Sequence, residues 1–252
     1  MRLENDPDVN WVEALSGEEP DACTIALAEA NDEHRLFRHL KAEHDQEGRP
    51  SYVEIDAPLE LHALVRLLRP AHVLEVGVSS GVSSAYLLNA MEMNGAGTLH
   101  SVDLPANPAP RPSSRKKPGS SWTIPPGRAS GWAVPFRLRK RWDLRLGDKA
   151  NVLPLLAQEL RRVELFVYDV PHEDRVTREE FRSLDRLIPP GGVVIVDHGP
   201  CGSLCPALAS WARDRRTHPV RRRGLGLYGM RLPGTLRRAA TRQSLTTLAT
   251  NH

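Results

Sequence analysis

The stretch that decides the fold reads Val73-Leu74-Glu75-Val76-Gly77-Val78-Ser79-Ser80-Gly81. An apolar run ends there in a carboxylate, and the chain then turns through two glycines (the glycine loop, residues 77–81) into a helical stretch. A second predicted strand, which contains His100-Ser101-Val102, ends in Asp103. Parallel sheets place the ends of such strands along one edge, where ligands bind. The two segments therefore predict a site for a small, polyhydroxylated and partly anionic ligand.

The rest of the core alternates between segments typical of strands and of helices. Nearly continuous apolar, β-branched strands joined by helices indicate an α/β fold with a doubly wound, mostly parallel, seven-stranded sheet. Only a short turn around Gly224 separates the last two strands, so one of them must run antiparallel. The predicted strands cover residues 72–77, 98–103, 143–146, 163–169, 193–197, 219–223 and 226–231.

The 252 residues are enough for one α/β domain with an appendage. We expect an N-terminal helical extension over residues 1–57, irregular at first and then a single helix from about residue 21 to 46. The sheet domain is expected over 58–232, with a Pro-rich basic insert at 104–142. Residues 233–252 read as a frayed tail.

The net charge of +3 is unevenly distributed along the chain. Residues 1–60 hold 16 of the 31 acidic residues, whereas 104–142 hold nine basic residues and no acidic one. This pattern fits either an anionic partner or segments that neutralise each other. Three cysteines are too few for a disulfide framework, so a cytoplasmic location is expected. No apolar run approaches the roughly 20 residues that span a bilayer, so no membrane partner is expected.

Several residues at the predicted strand ends are suited to bind a ligand. Gly77 and Gly81 allow the backbone to approach a ligand, and Ser79 adds a donor before a helix, but the third glycine of a dinucleotide fingerprint is missing. Asp103 can accept both hydroxyls of a ribose, or it is an ordinary cap or solvated strand end. Asp148 can accept from an exocyclic amine or cap the helix that follows it.

Taken in order, these motifs resemble the class I S-adenosylmethionine-dependent methyltransferases over about residues 58–232. The resemblance implies a Rossmann-like methyltransferase fold with S-adenosylmethionine as the cofactor. It also implies that Asp103 holds the ribose, that Asp148 faces the adenine, and that four residues of the first strand and loop line the cofactor: Glu75, Gly77, Ser79 and Gly81. The motifs that carry the resemblance are Glu75-x-Gly77-x-x-x-Gly81, Asp103, Gly147-Asp148, Asp169 and Pro190-Gly191-Gly192.

A narrower similarity is to the bacterial small-molecule O-methyltransferases of the catechol and macrolide-sugar type. It implies a small-molecule acceptor and a divalent metal on Asp169, Asp197 and His198. The chain departs from that pattern in two places, because Pro171 replaces the second acid after the fourth strand and His198 replaces the second acid of the fifth-strand pair.

Methyl transfer to a hydroxyl needs a base or a cation that makes the oxygen nucleophilic. His172, whose unperturbed pKa lies near neutrality, is the predicted general base, and Asp169 is the predicted catalytic carboxylate beside it. His172 can equally be a helix-start residue that bonds a backbone group. In the basic insert, three isolated apolar anchors are expected: Trp122, Trp132 and Phe136. The two tryptophans indicate partial order over the acceptor pocket.

Two alternatives stay open. The departures at Pro171 and His198 also fit a cofactor-binding scaffold protein with impaired catalysis. The basic insert and the Arg-rich C-terminal quarter fit a methyltransferase directed at nucleic acid, although the chain has few aromatic residues and no RNA-binding signature. The N-terminal helical segment is also a candidate homodimer interface.

Overall fold

The computed structural model describes residues 7–47, 58–105, 124–170, 173–197 and 203–234. None of the helices in these ranges is both long and apolar enough to cross a bilayer. A 3₁₀ helix (Phe136–Arg141) precedes the third strand. The strands are β1 (His72–Val76), β2 (Thr98–Asp103), β3 (Trp142–Leu146), β4 (Leu165–Tyr168), β5 (Val193–Asp197), β6 (Val220–Arg221) and β7 (Leu227–Arg231). The helices are α1 (Val9–Ser16), α2 (Pro20–Asn31), α3 (His34–Gln46), α4 (Pro58–Leu68), α5 (Val82–Asn94), α6 (Lys149–Glu159), α7 (Asp174–Leu184) and α8 (Pro206–Asp214).

The seven strands form one sheet in the order β3-β2-β1-β4-β5-β7-β6. Strands β1 to β5 are parallel, and β7 runs antiparallel to both β5 and β6, which confirms the predicted doubly wound sheet. Val76 lies opposite Val102 on β2 and Tyr168 on β4. The strand order reverses between β1 and β4, and open α/β sheets bind ligands at such a switch point.

Alternate residues along each strand pack into separate cores on the two faces of the sheet. Val73 and Val167 face the first core, which includes α1, α2, α4 and α5. Leu74 and Phe166 face the second core, under α6, α7 and α8. Both faces of the central strands β1, β4 and β5 are covered, so the loops at their ends carry the accessible polar groups.

The N-terminal region differs from the sequence prediction in two ways. Residues expected to be irregular form helix α1, which Asp8 caps by accepting a hydrogen bond from the Trp11 backbone N–H at 3.2 Å. The single helix expected from residue 21 to 46 is two helices, α2 and α3, separated at Asp32 and Glu33. Helix α1 buries Trp11 and Leu15 in the first core, so it packs as part of the fold.

The described part of the basic insert pairs its charges within the molecule. Arg128 binds Glu47, the C-cap of helix α3, at 2.7 Å and Glu43 of the same helix at 3.7 Å. Lys140 in the 3₁₀ helix binds Glu92 of α5 at 2.8 Å. For these residues, intramolecular neutralisation accounts for the uneven charge.

Of the three expected apolar anchors of the insert, Trp122 lies outside the described residues and the other two behave differently. Trp132 is partly buried and packs against the first core. Phe136 is 89 % exposed, so its expected role as an anchor is wrong. Trp132 therefore fixes the described end of the insert against the domain.

Candidate active site

The predicted binding residues converge at the C-terminal edge of the parallel strands. The Ser79 backbone N–H donates to Asp103 Oδ2 at 2.9 Å, which joins the glycine loop to the end of β2. The Asp169 N–H donates to the Val76 carbonyl at 2.8 Å, which ties the end of β4 to the end of β1. The half-buried residues at this edge are Gly77, Ser79, Asp103, Asp148, Asp169 and Asp197.

The glycine loop has a backbone conformation that few L residues adopt. Gly77 has φ +96° and Gly81 has φ +92°, and even Ser79 has φ +50°. A Cβ on Gly77 would lie 2.9 Å from the carbonyl carbon of Asp169 and still closer to its oxygen. Glycine is therefore required at position 77 both by the turn and by the close approach of the β4 end.

Asp103 is held in place but keeps capacity for a ligand. Its Oδ2 accepts from the Ser79 N–H, and its Oδ1 accepts from the Leu104 N–H at 2.9 Å. Each carboxylate oxygen can accept two hydrogen bonds, so both oxygens can receive a further donor. A pair of vicinal hydroxyls is the ligand group that fits such a carboxylate.

Glu75 does not line the cleft, which corrects the sequence expectation for its side chain. Its alternation with Leu74 and Val76 turns it toward the α5 face, where it is fully buried. Burial raises the pKa of this carboxyl, opposed by hydrogen bonds from serine hydroxyls. These hydroxyls all lie within 2.6–2.7 Å and belong to Ser83, Ser84 and Ser101. Glu75 thus joins β1, β2 and α5 beneath the glycine loop.

Asp148 is the N-cap of α6. Its carboxylate accepts from the Ala150 N–H at 3.1 Å, as one of the two sequence interpretations required. The residue is half-buried at the same edge, so capping and a ligand contact are compatible.

Asp169 and Asp197 end neighbouring strands. Because Tyr168 pairs with Val196, the residues that follow them lie side by side at the sheet edge. Carboxylate oxygens are the ligands that hard divalent cations prefer, so this pair fits the implied metal. No group of three His, Cys, Asp or Glu side chains suited to a metal occurs in the described ranges. The other predicted metal ligand, His198, and the predicted base, His172, lie outside those ranges, as does Pro171.

Residues 74–198 match a family model described as a methyltransferase domain. The chain therefore carries a methyltransferase domain. No curated protein sequence matched this methyltransferase significantly.

Solved structures share the fold of the methyltransferase at low sequence identity. The O-methyltransferase NovP is 14 % identical with a TM-score of 0.57, over 79 % of this chain and 98 % of that one. TomG is an O-methyltransferase from Streptomyces achromogenes that is involved in tomaymycin synthesis and was solved with S-adenosylmethionine. It is 19 % identical with a TM-score of 0.50, over 79 % of this chain and 89 % of that one. An O-methyltransferase from Bacillus cereus, solved with S-adenosylhomocysteine, is 14 % identical with a TM-score of 0.51, over 79 % and 90 %.

Helix α3 of the methyltransferase reaches the glycine loop, which the sequence analysis missed. Residues 128–134, here called the cover segment, lie between α3 and the loop. The Gly131 and Ala133 N–H groups donate to the carbonyls of Ser79 and Ser80 at 2.8 and 3.0 Å. His44 of α3 contacts Ser80 directly. No local pattern announces these contacts, because they join residues 36 or more positions apart.

A second polar cluster of the methyltransferase, at the ends of β4 and α6, was also missed. Lys149 Nζ lies 2.7 Å from the Tyr168 hydroxyl and 2.9 Å from Glu180 Oε2. Burial, followed by the contact with Glu180, raises the pKa of Tyr168 well above its usual range. The neutral phenol directly precedes Asp169, so this cluster supports the end of β4.

Proposed function

We propose that this methyltransferase moves a methyl group from S-adenosylmethionine to an oxygen atom of a small molecule in the cytoplasm. One observation carries the proposal: the glycine loop and a half-buried Asp103 meet at the switch point of a parallel sheet. Similar structures named O-methyltransferases, two of them solved with S-adenosylmethionine or S-adenosylhomocysteine, support the choice of cofactor and of oxygen as acceptor atom.

We infer one orientation for the donor at this edge. The backbone of the glycine loop, which the close packing of Gly77 on Asp169 holds at the end of β1, would lie against the methionine part of the donor. Asp103 accepts the ribose hydroxyls on its remaining lone pairs. Asp148, two strands from the switch point, would then face the adenine.

Transfer is an in-line displacement at the sulfonium methyl carbon, so the acceptor oxygen must be nucleophilic. His172 would remove the hydroxyl proton, and Asp169 would orient the acceptor or the base. Asp169, Asp197 and His198 would hold a divalent cation, which supplies Lewis acidity that lowers the pKa of the acceptor hydroxyl.

The paired charges of the insert support a small molecule as the acceptor. Arg128 and Lys140 bind internal carboxylates, which reduces the positive charge that a nucleic acid would meet.

Calorimetry with Asp103→Asn tests the cofactor assignment. Because the carboxylate would accept from two ribose hydroxyls, the variant is expected to weaken S-adenosylhomocysteine binding about 10- to 100-fold. Asp214→Asn, at an exposed site on α8, is the matched control and should bind like the wild type. Folded wild-type protein that binds neither S-adenosylmethionine nor S-adenosylhomocysteine would refute the assignment.

A transfer assay tests the reaction. Wild-type protein is incubated with S-adenosylmethionine and a panel of hydroxylated small molecules, with chelator or with added Mg²⁺ or Mn²⁺. Turnover that His172→Ala abolishes supports the base, and turnover that a chelator abolishes supports the metal. Tight cofactor binding without transfer to any hydroxylated acceptor would favour the scaffold alternative.

A further inference from the structure

His44 on helix α3 is nearly fully buried, at 5 % exposure, and contacts the glycine loop. Its Nδ1 lies 2.7 Å from the Leu40 carbonyl oxygen, and its Nε2 lies 3.1 Å from the Ser80 hydroxyl. A carbonyl oxygen can only accept, so Nδ1 carries the proton. In the neutral ring Nε2 is then an acceptor, and the Ser80 hydroxyl donates to it.

The orientation of the His44 ring is fixed by the cover segment. The ring of Trp132 lies 4.9 Å from that of His44, centroid to centroid. The guanidinium of Arg128 lies 5.2 Å from the Trp132 ring and pairs with Glu47, one turn from His44. The imidazole is thus held between its own helix and the cover segment.

Ser80 is bound through both its side chain and its backbone. Its hydroxyl meets His44, and its carbonyl accepts from the Ala133 N–H at 3.0 Å. His39, also on α3, lies 3.2 Å from the Ala133 carbonyl. Helix α3 therefore contacts the loop directly through His44 and indirectly through His39 and the cover segment.

The loop requires such support because its conformation is strained. Ser79 has φ +50°, in the left-handed region, and is next to Ser80. The N–H of the same Ser79 donates to Asp103. A displacement of Ser80 would therefore change the position of the acid proposed to bind ribose.

We propose that His44 is a positioning residue that holds the glycine loop of this methyltransferase in its cofactor-binding conformation through Ser80. The inference rests on the proposed function, because the consequence is expressed in the binding of S-adenosylmethionine. His44 is too deeply buried to take part in the transfer itself. Its loss lowers the population of the competent loop and so the apparent affinity, without changing the bound state that reacts.

Calorimetry and kinetics on His44 and Ser80 variants test the inference. His44→Leu is expected to raise the dissociation constant for S-adenosylhomocysteine and the KM for S-adenosylmethionine about two- to tenfold, as for one buried hydrogen bond, with kcat within about twofold. His44→Gln, which keeps an acceptor, should recover part of the affinity. Ser80→Ala should match His44→Leu, and the double variant should bind no more weakly than either single variant.

Two controls separate positioning from general destabilisation. His34→Ala changes an exposed histidine on the same helix, and His62→Gln changes a fully buried histidine on α4; neither should alter the KM. Additive effects of His44→Leu and Ser80→Ala, or an equal rise in KM for His62→Gln, would overturn the inference.

Amide hydrogen exchange gives a readout that does not depend on the cofactor. Peptides covering residues 77–85 should exchange faster in His44→Leu than in the wild type or in His62→Gln. Unchanged exchange there would overturn the positioning role. If the wild type bound no cofactor, the proposed function would fail, while this measurement would still decide whether His44 holds the loop.

Discussion

Replacing Gly77 by alanine tests whether the β1 loop and the end of β4 meet as closely as the structure shows. The added Cβ would lie 2.9 Å from the carbonyl carbon of Asp169, within a backbone that cannot rotate out of the way. The φ of +96° also lies outside the regions that alanine prefers. Both effects act on the same edge of the sheet that carries the proposed site.

Gly95 is the matched control for this substitution. It caps α5 with φ +70°, and a Cβ there would meet nothing within 4 Å. Gly95→Ala should therefore lower the unfolding free energy through backbone strain alone, by about 1–2 kcal/mol. Gly77→Ala adds overpacking of about 1–3 kcal/mol, for a total of about 2–5 kcal/mol.

Urea unfolding followed by tryptophan fluorescence measures both variants. We expect Gly77→Ala to lose at least about 1 kcal/mol more unfolding free energy than Gly95→Ala, with a similar m-value. We also expect Gly77→Ala alone to lose affinity for S-adenosylhomocysteine, because the loop and Asp169 must separate. Equal destabilisation by the two substitutions would refute the close approach of the β1 and β4 ends.

Two further predictions concern buried ionisable side chains. Burial lowers the pKa of His62 to about 4, so the folded protein binds fewer protons than the unfolded chain between about pH 4 and 6.5. The unfolding free energy should therefore fall by about 3 kcal/mol as the pH is lowered through that window. In urea titrations at a series of pH values, His62→Gln should remove most of this fall. A variant whose unfolding free energy depends on pH as strongly as that of the wild type would contradict the buried, neutral state of His62. Arg222 pairs with Glu60 at 2.7 Å with both side chains almost fully buried, so Arg222→Met should cost about 3–5 kcal/mol because the buried carboxylate loses its cation. Adding Glu60→Gln should restore part of that loss in urea unfolding, and a single variant within 1 kcal/mol of the wild type would show that the pair is not needed.

The sheet was predictable because its signals are local. The central strands β1, β4 and β5 are mostly apolar, and the short turn at Gly224 requires the antiparallel end. The edge residues Asp103 and Asp169 follow from the same reasoning, since the ends of parallel strands must lie together.

The N-terminal helices were harder to predict because their limits depend on tertiary contacts. No glycine or proline marks the break at Asp32 and Glu33. Helix α2 packs on α4, whereas α3 contacts the cover segment. Helix α1 did carry a local signal, because Asp8 precedes apolar residues at helical spacing, Trp11, Val12 and Leu15.

The predicted cofactor contact of Glu75 was wrong because the side chain lies on the other face of its strand from the one assumed. Its position at a strand end suggested a ligand contact, but strand alternation places it with Val73 on the helix-covered face. The hydroxyls of Ser83 and Ser84, at the start of α5, solvate this carboxylate. The packing of α5 on the sheet decides whether these serine hydroxyls bind Glu75 or a ligand.

A crystal structure of the protein with S-adenosylhomocysteine tests the proposed cofactor site. We expect the ligand across the ends of β1 and β2, with its ribose hydroxyls within hydrogen-bond distance of Asp103 and its amino-acid part against the glycine loop. A ligand bound elsewhere, or one whose ribose makes no contact with Asp103, would show that this site is wrong.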